Sequence, residues 1–280
     1  MIEKLQKAIA ITIDREIDPT IKEIRDKLPE TYSNLDRSRD KFVSKLKNSI
    51  FDEIDQFQSD FRREMYERID RGIKDKRCEK IYDNKCKQGM KELDRTIEGR
   101  VKECKEQFSK DIKEDIGQFE EKIKDSLAML NRTHTDSGFD PIFNIPSGIN
   151  MLNTLGLFSS IGGLALLLAV PVLGEFALAA GMVLGVIGAV KSVWSWFISD
   201  HKKSQQKEAV NKNLDKVCEE IEEEVRNQLK SYKKGIFEKV EDIKVMLNDP
   251  AVCYERMREG LIKAGEGLWQ ISNNIKITSK

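Results

Sequence analysis

Two histidines, His134 and His201, and five cysteines, Cys78, Cys86, Cys104, Cys218 and Cys253, are the side chains best suited to hold a metal or attack carbon. Their spacing assembles neither chemistry. No cysteines form C-x-x-C, and neither histidine stands near paired cysteines or a carboxylate cluster, so no zinc site of ordinary spacing is present. Serines and cysteines lack a nearby base of triad character. The acidic runs Glu219-Glu220 and Glu222-Glu223-Glu224 read as a solvated helix face rather than a cation site. The phosphate-cradling pattern G-x-x-x-x-G-K-[ST] does not occur. Asn211-Lys212-Asn213-Leu214-Asp215 is one residue too long for the guanine-reading N-K-x-D and falls inside a helical repeat. The expectation is a chain that is not an enzyme and takes no metal or cofactor.

The chemistry that remains is partition between water and lipid. From Pro141 to Val190 one residue is charged, Glu175, in a chain of which 34% is charged. Pro171 and Gly174 divide this interval into limbs at 147–170 and 176–198, each close to the ~20 residues that cross a ~30 Å hydrocarbon core as a helix. They predict an apolar helical hairpin that turns at Pro171 and Gly174. Leu164, Leu166, Leu167, Leu168, Val170, Val172, Leu173, Phe176, Leu178, Val183 and Leu184 are its membrane-facing residues. Trp194 and Trp196 join them, with Lys191, Lys202 and Lys203 as interface lysines, because amphipathic rings and snorkelling ammonium groups suit the headgroup layer. Seven glycines, at 156, 162, 163, 174, 181, 185 and 188, are too many for a water-exposed helix, where each costs ~1 kcal/mol relative to Ala. Gly181 and Gly185 make a G-x-x-x-G step. Asn150, Asn153, Ser159 and Ser160 shorten the first limb, and Glu175 at the turn resists full crossing at roughly 2.5–3.5 kcal/mol. A hairpin that enters one leaflet, or inserts conditionally, is therefore expected.

Charged helical arms must carry this segment. Apolar residues recur at three- and four-residue spacing from Phe42 to Ile69, from Met90 to Leu130 and from Val210 to Leu247. Each series marks one face of a helix. Several of the spacings approach an 11-residue repeat, which keeps the stripe nearly straight along the helix. Gly72, Asp83-Asn84 and Gly89 mark a bend between the first two series. Pro29 and Pro250, lacking an N–H, are expected to stop a first helix (Ile2–Leu28) and the returning arm. The fold class predicted is all-α: an elongated antiparallel helical bundle, with Met90–Leu130 and Val210–Leu247 paired antiparallel and the hairpin at the tip.

Equal totals of 48 basic and 48 acidic residues, interleaved along the arms, supply no field for nucleic acid. An odd number of cysteines at apolar helical positions predicts reduced, buried thiols. The opening residues lack a signal-peptide apolar stretch, which points to a cytoplasmic protein held peripherally or monotopically on the membrane.

A charged arm, a Gly- and Ala-rich apolar hairpin from Gly162 to Val190, and a returning arm together resemble the stalk and membrane paddle of bacterial dynamin-like proteins. The resemblance covers nearly the whole chain, in pattern only. It implies a neck-like helix at 1–33, an ascending stalk arm at 34–140, a paddle at 141–199, a returning arm at 200–248 and a second neck-like helix at 249–280. That family carries a GTPase domain and this chain does not, so the resemblance implies membrane remodelling alongside a GTPase supplied elsewhere, in a homo- or hetero-oligomer on a lipid bilayer. Two other readings remain: an α-helical pore-forming toxin or toxin component with an insertion hairpin, and a non-catalytic adaptor bundle.

Overall fold

The computed structural model describes residues 2–126 and 202–278, and all of them are helical except Ile123 and the turn at 71–74. Helix α1 is Ile2–Thr12, followed without a break by a π-helical turn, Ile13–Ile17, and by α2, Asp18–Asp70. Helix α3 is Asp75–Lys122 and α4 is Lys202–Thr278. The chain is all-α in its described residues.

The π turn has a local cause. Pro19 offers no N–H to the carbonyl of Arg15, so the helix widens one turn earlier, where the Asp18 N–H reaches the Ile13 carbonyl. The Thr20 hydroxyl donates to the Glu16 carbonyl at 2.6 Å. Gly72 ends α2 at φ +82°, a left-handed position that favours glycine, and its N–H donates to the Ile69 carbonyl at 2.9 Å. The expected bend is therefore at Gly72 alone, because Asp83, Asn84 and Gly89 lie within α3.

Pro29 and Pro250 do not stop their helices: α2 and α4 run through them. An internal proline costs ~3 kcal/mol, yet it sits among side chains whose burial stabilises by about 1.5–3 kcal/mol each. Leu28 and Leu35 flank Pro29, and Leu247, Cys253 and Tyr254 flank Pro250, all in the core. Breaking either helix would pull those side chains out. Gly260, Gly265 and Gly267 likewise lie inside α4.

The contacts divide the described residues into two units. The first comprises 2–38, 110–126 and 238–278, the second 39–109 and 202–237. In the first, Glu23 meets Ser126, Glu30 meets Lys122 and Ser38 meets Asp115. One number rises as the other falls, so α2 and α3 are antiparallel there. Asp18–Arg258, Arg25–Glu255 and Tyr32–Lys244 show the same for α2 and α4. In the second unit, Glu53–Arg100 and Glu64–Lys85 oppose α2 to α3, and Phe51–Arg226 and Tyr66–Asn211 oppose α2 to α4.

The expected antiparallel pairing of α3 with α4 is overturned. In the second unit Ile73 meets Gln206, Cys86 lies beside Cys218 and Lys105 stands 5.8 Å over the Tyr232 ring, so both numbers rise together and the helices are parallel. Both oppose α2, and two partners antiparallel to a third helix run the same way. Phe42 of α2, Phe108 of α3 and Tyr232 of α4 meet at one end of this core, with ring centroids 4.7 and 6.1 Å from that of Phe42.

Candidate functional site

The apolar interval and the residues assigned to it, from Leu164 to Trp196 with Lys191, Pro171 and Gly174, lie outside the described residues. So do His134 and His201. What the structure does define is the pair of roots from which that segment springs.

The first root is in the first unit. Ser126 is buried just past the end of α3, and its carbonyl accepts a 2.6 Å hydrogen bond from the hydroxyl of Tyr254, which is itself fully buried. The Ser126 hydroxyl lies 3.5 Å from the Glu23 carboxylate. A buried hydroxyl that meets a carbonyl satisfies both groups, and losing it would leave one of them bare. Burial pushes the Tyr254 phenol well above its ordinary pKa, so it stays a donor.

The second root is in the second unit, at the start of α4. Lys202 opens the helix. Lys203, assigned to the lipid interface, donates to the Asp70 carbonyl at 2.8 Å. Lys207 holds the Asp70 carboxylate at 2.8 Å and stands 5.0 Å from the centroid of the Tyr66 ring, while Gln206 donates to the Ile73 carbonyl at 3.1 Å. The Lys203 ammonium at the Asp70 carbonyl complements the negative end of the α2 dipole. One turn further on, the Tyr66 hydroxyl meets the Asn211 side-chain oxygen at 2.6 Å, and Gln58 and Arg62 converge on Asp215. The segment thus leaves and re-enters the described structure through two polar clamps, one in each unit. Neither clamp was visible in sequence, because each depends on residues more than 100 positions apart.

All five cysteines are free and buried. Burial raises the thiols of Cys86 and Cys253 to about 11 and that of Cys218 to about 12, which leaves almost no thiolate at neutral pH and no nucleophile. Among the described residues the most perturbed carboxyl is Glu120 on α3, raised by burial alone to about 7, with its Oε1 enclosed and meeting no donor among them. Among the described residues, no three His, Cys, Asp or Glu side chains group as metal ligands, and no helix is long and apolar enough to cross a membrane.

No protein-family model, curated protein or solved structure matches the chain.

Proposed function

We propose that the chain is a membrane-binding helical protein whose interval 141–190 enters lipid and whose helices form the carrier for that interval. The single observation that carries this reading is the one charged residue, Glu175, among those fifty. An apolar stretch of that length in water costs roughly 25 cal/mol for each Å² it exposes, so it requires a lipid or protein cover. The finer reading is a stalk and paddle of a dynamin-like remodelling system, arranged as a bundle with an apolar hairpin and driven by a GTPase on a separate chain. It rests on the resemblance in pattern described above.

One observation weighs against the finer reading: a stalk with a hairpin at its tip calls for an arm that goes out and an arm that comes back, yet α3 and α4 run parallel. The second reading is an α-helical pore-former with an insertion hairpin, which acts by its own assembly in the bilayer. Vesicles separate the two readings. Replacing Leu166, Leu167 and Leu168 with Asp should abolish co-sedimentation with liposomes while leaving the helical circular dichroism unchanged; undiminished sedimentation refutes the membrane reading. The remodelling reading expects intact protein to bind and deform or tether vesicles without release of a trapped dye. Prompt leakage with ring-shaped oligomers puts the pore-former first.

A further inference from the structure

The second root is closed by contacts that grip weakly. Lys207 with Asp70, and Arg62 with Asp215, pair through side chains 32–56% exposed, where an ion pair contributes little and salt screens it. Inside this polar shell α4 buries Asn213 completely, and among the described residues neither its Nδ2 nor its Oδ1 meets a hydrogen-bond partner. Asn213 stands between the Tyr66–Asn211 and Arg62–Asp215 contacts on the α2 side. On the α3 side it falls between the Gln206–Ile73 contact and the level of Cys86 and Cys218. A buried amide that gives up water and gains no bond favours any state that wets it again. The apolar packing around it is thin. Of the seven side chains that α4 buries between 203 and 218, Gln206 and Asn213 are polar and Ala209 is a single methyl, whereas the next along, Ile221 and Val225, are aliphatic. The first root differs, since Tyr254 and Ser126 are both buried and bonded to each other.

We propose that residues 202–218 of α4 form a latch, which opens from α2 and α3 while the rest of α4 stays packed, and that Asn213 sets how readily it opens. Position permits this. The stretch packs beside the turn at 71–74, where α2 ends and α3 begins, so it can leave without parting the helices further along. Local structure permits it too. A helical stretch of this length is marginal in water once its packing is lost, so it frays as it leaves and needs no rigid break in α4. Opening wets Asn213, releases Asp70 and Asp215 to solvent, and uncovers Cys218 together with Cys86 across from it. Elements held by few apolar contacts and exposed polar ones open below the free energy of global unfolding. The second root can therefore let go while the first stays closed. The proposal concerns α4 and its packing alone, and it stands whatever the interval 141–190 enters.

The test uses the full-length protein and its own thiols, all five of them buried. Iodoacetamide under native conditions reaches such a thiol only when the structure around it opens, and peptide mass spectrometry reads each cysteine separately. Cys218 and Cys86 should react together, at least tenfold faster than Cys104, further along the second unit, and Cys253, in the first. Raising sodium chloride from about 0.05 to about 0.5 M should widen that ratio at least twofold, because ion pairs help to close the latch. Asn213→Val and Asn213→Ala both remove the amide, and Ala also avoids any overfilling of the site. The slower-reacting of the two variants should label at Cys218 at least fivefold more slowly than the parent, with Cys253 unchanged. Equal rates at all four cysteines would overturn the proposal, because opening would then be global. So would a ratio indifferent to salt, or a Cys218 slowed by neither substitution, which would show that Asn213 does not favour opening.

Discussion

Replacing Glu120 with Gln should stabilise the protein increasingly above about pH 4.5, with the full gain from neutral pH upward. Burial raises this carboxyl from 4.5 to about 7, so between those values the unfolded chain is ionised while the folded one keeps its proton. Stability therefore falls as pH rises from about 4.5 to about 7 and levels off beyond. At ~1.4 kcal/mol per pKa unit the ceiling is about 3 kcal/mol. The side chain is only partly buried, and solvent screening brings the effect down to about 1–2 kcal/mol. Gln keeps the shape and removes the charge. At 2–4 °C per kcal/mol for a chain of this size, Glu120→Gln should melt about 2–8 °C higher at pH 8.5, followed by circular dichroism, and within a degree of the parent at pH 4.5. An equal gain at both pH values would refute the argument, because it would show that the amide's own contacts and not the loss of charge produce it. A lower melting point at pH 8.5 would refute it outright. Asp115 and Asp249 are also raised by burial and add slope of the same sign to parent and variant alike, so the difference between the two isolates Glu120.

Two further outcomes follow from particular contacts. Tyr254→Phe leaves the Ser126 carbonyl without its donor in a buried place and should cost about 1–3 kcal/mol in urea titration; no change in midpoint would show that this root is not clamped. Gly117 and Gly89 both lie inside α3, but a Cβ at Gly117 meets open space while one at Gly89 would stand 2.6 Å from the Phe57 ring. Gly117→Ala should therefore gain roughly 0.5–1 kcal/mol of helix propensity, and Gly89→Ala should gain less or lose, a contrast that equal midpoints would remove.

The helices themselves were legible because an apolar stripe at three- and four-residue spacing fits a one-sided helix and clashes with the two-residue period of a strand. Phe42, Leu46, Ile50 and Ile54 are all in the core, as are Val210, Leu214, Val217 and Ile221. The cysteines were legible for the same reason. Direction was not. A stripe is the same read either way along its helix, so Met90–Leu130 and Val210–Leu247 matched in antiparallel and parallel register equally well; the assumed hairpin chose the wrong one. The prolines misled because local cost was weighed without tertiary gain, as Leu247, Ala251 and Tyr254 around Pro250 show. The polar clamps were invisible, since a Tyr, a Lys and a Gln on solvated arms look alike until their partners are known.

The pairing of the chain's two extremities constrains how it can be made. Asp18 pairs with Arg258, 240 positions away, and Gln6 reaches Gly265 across 259. Every contact that α2 makes with α4 must therefore wait for the last third of the chain, at 5–20 residues per second a delay of roughly 10–50 s after the N-terminal helix emerges. During that time α2 and α3 can pair only with each other, their remaining apolar flanks are bare, and the stretch 141–190, with its one charged residue, has already left the ribosome. The order of synthesis thus exposes the most adhesive part of the molecule before its third core helix exists.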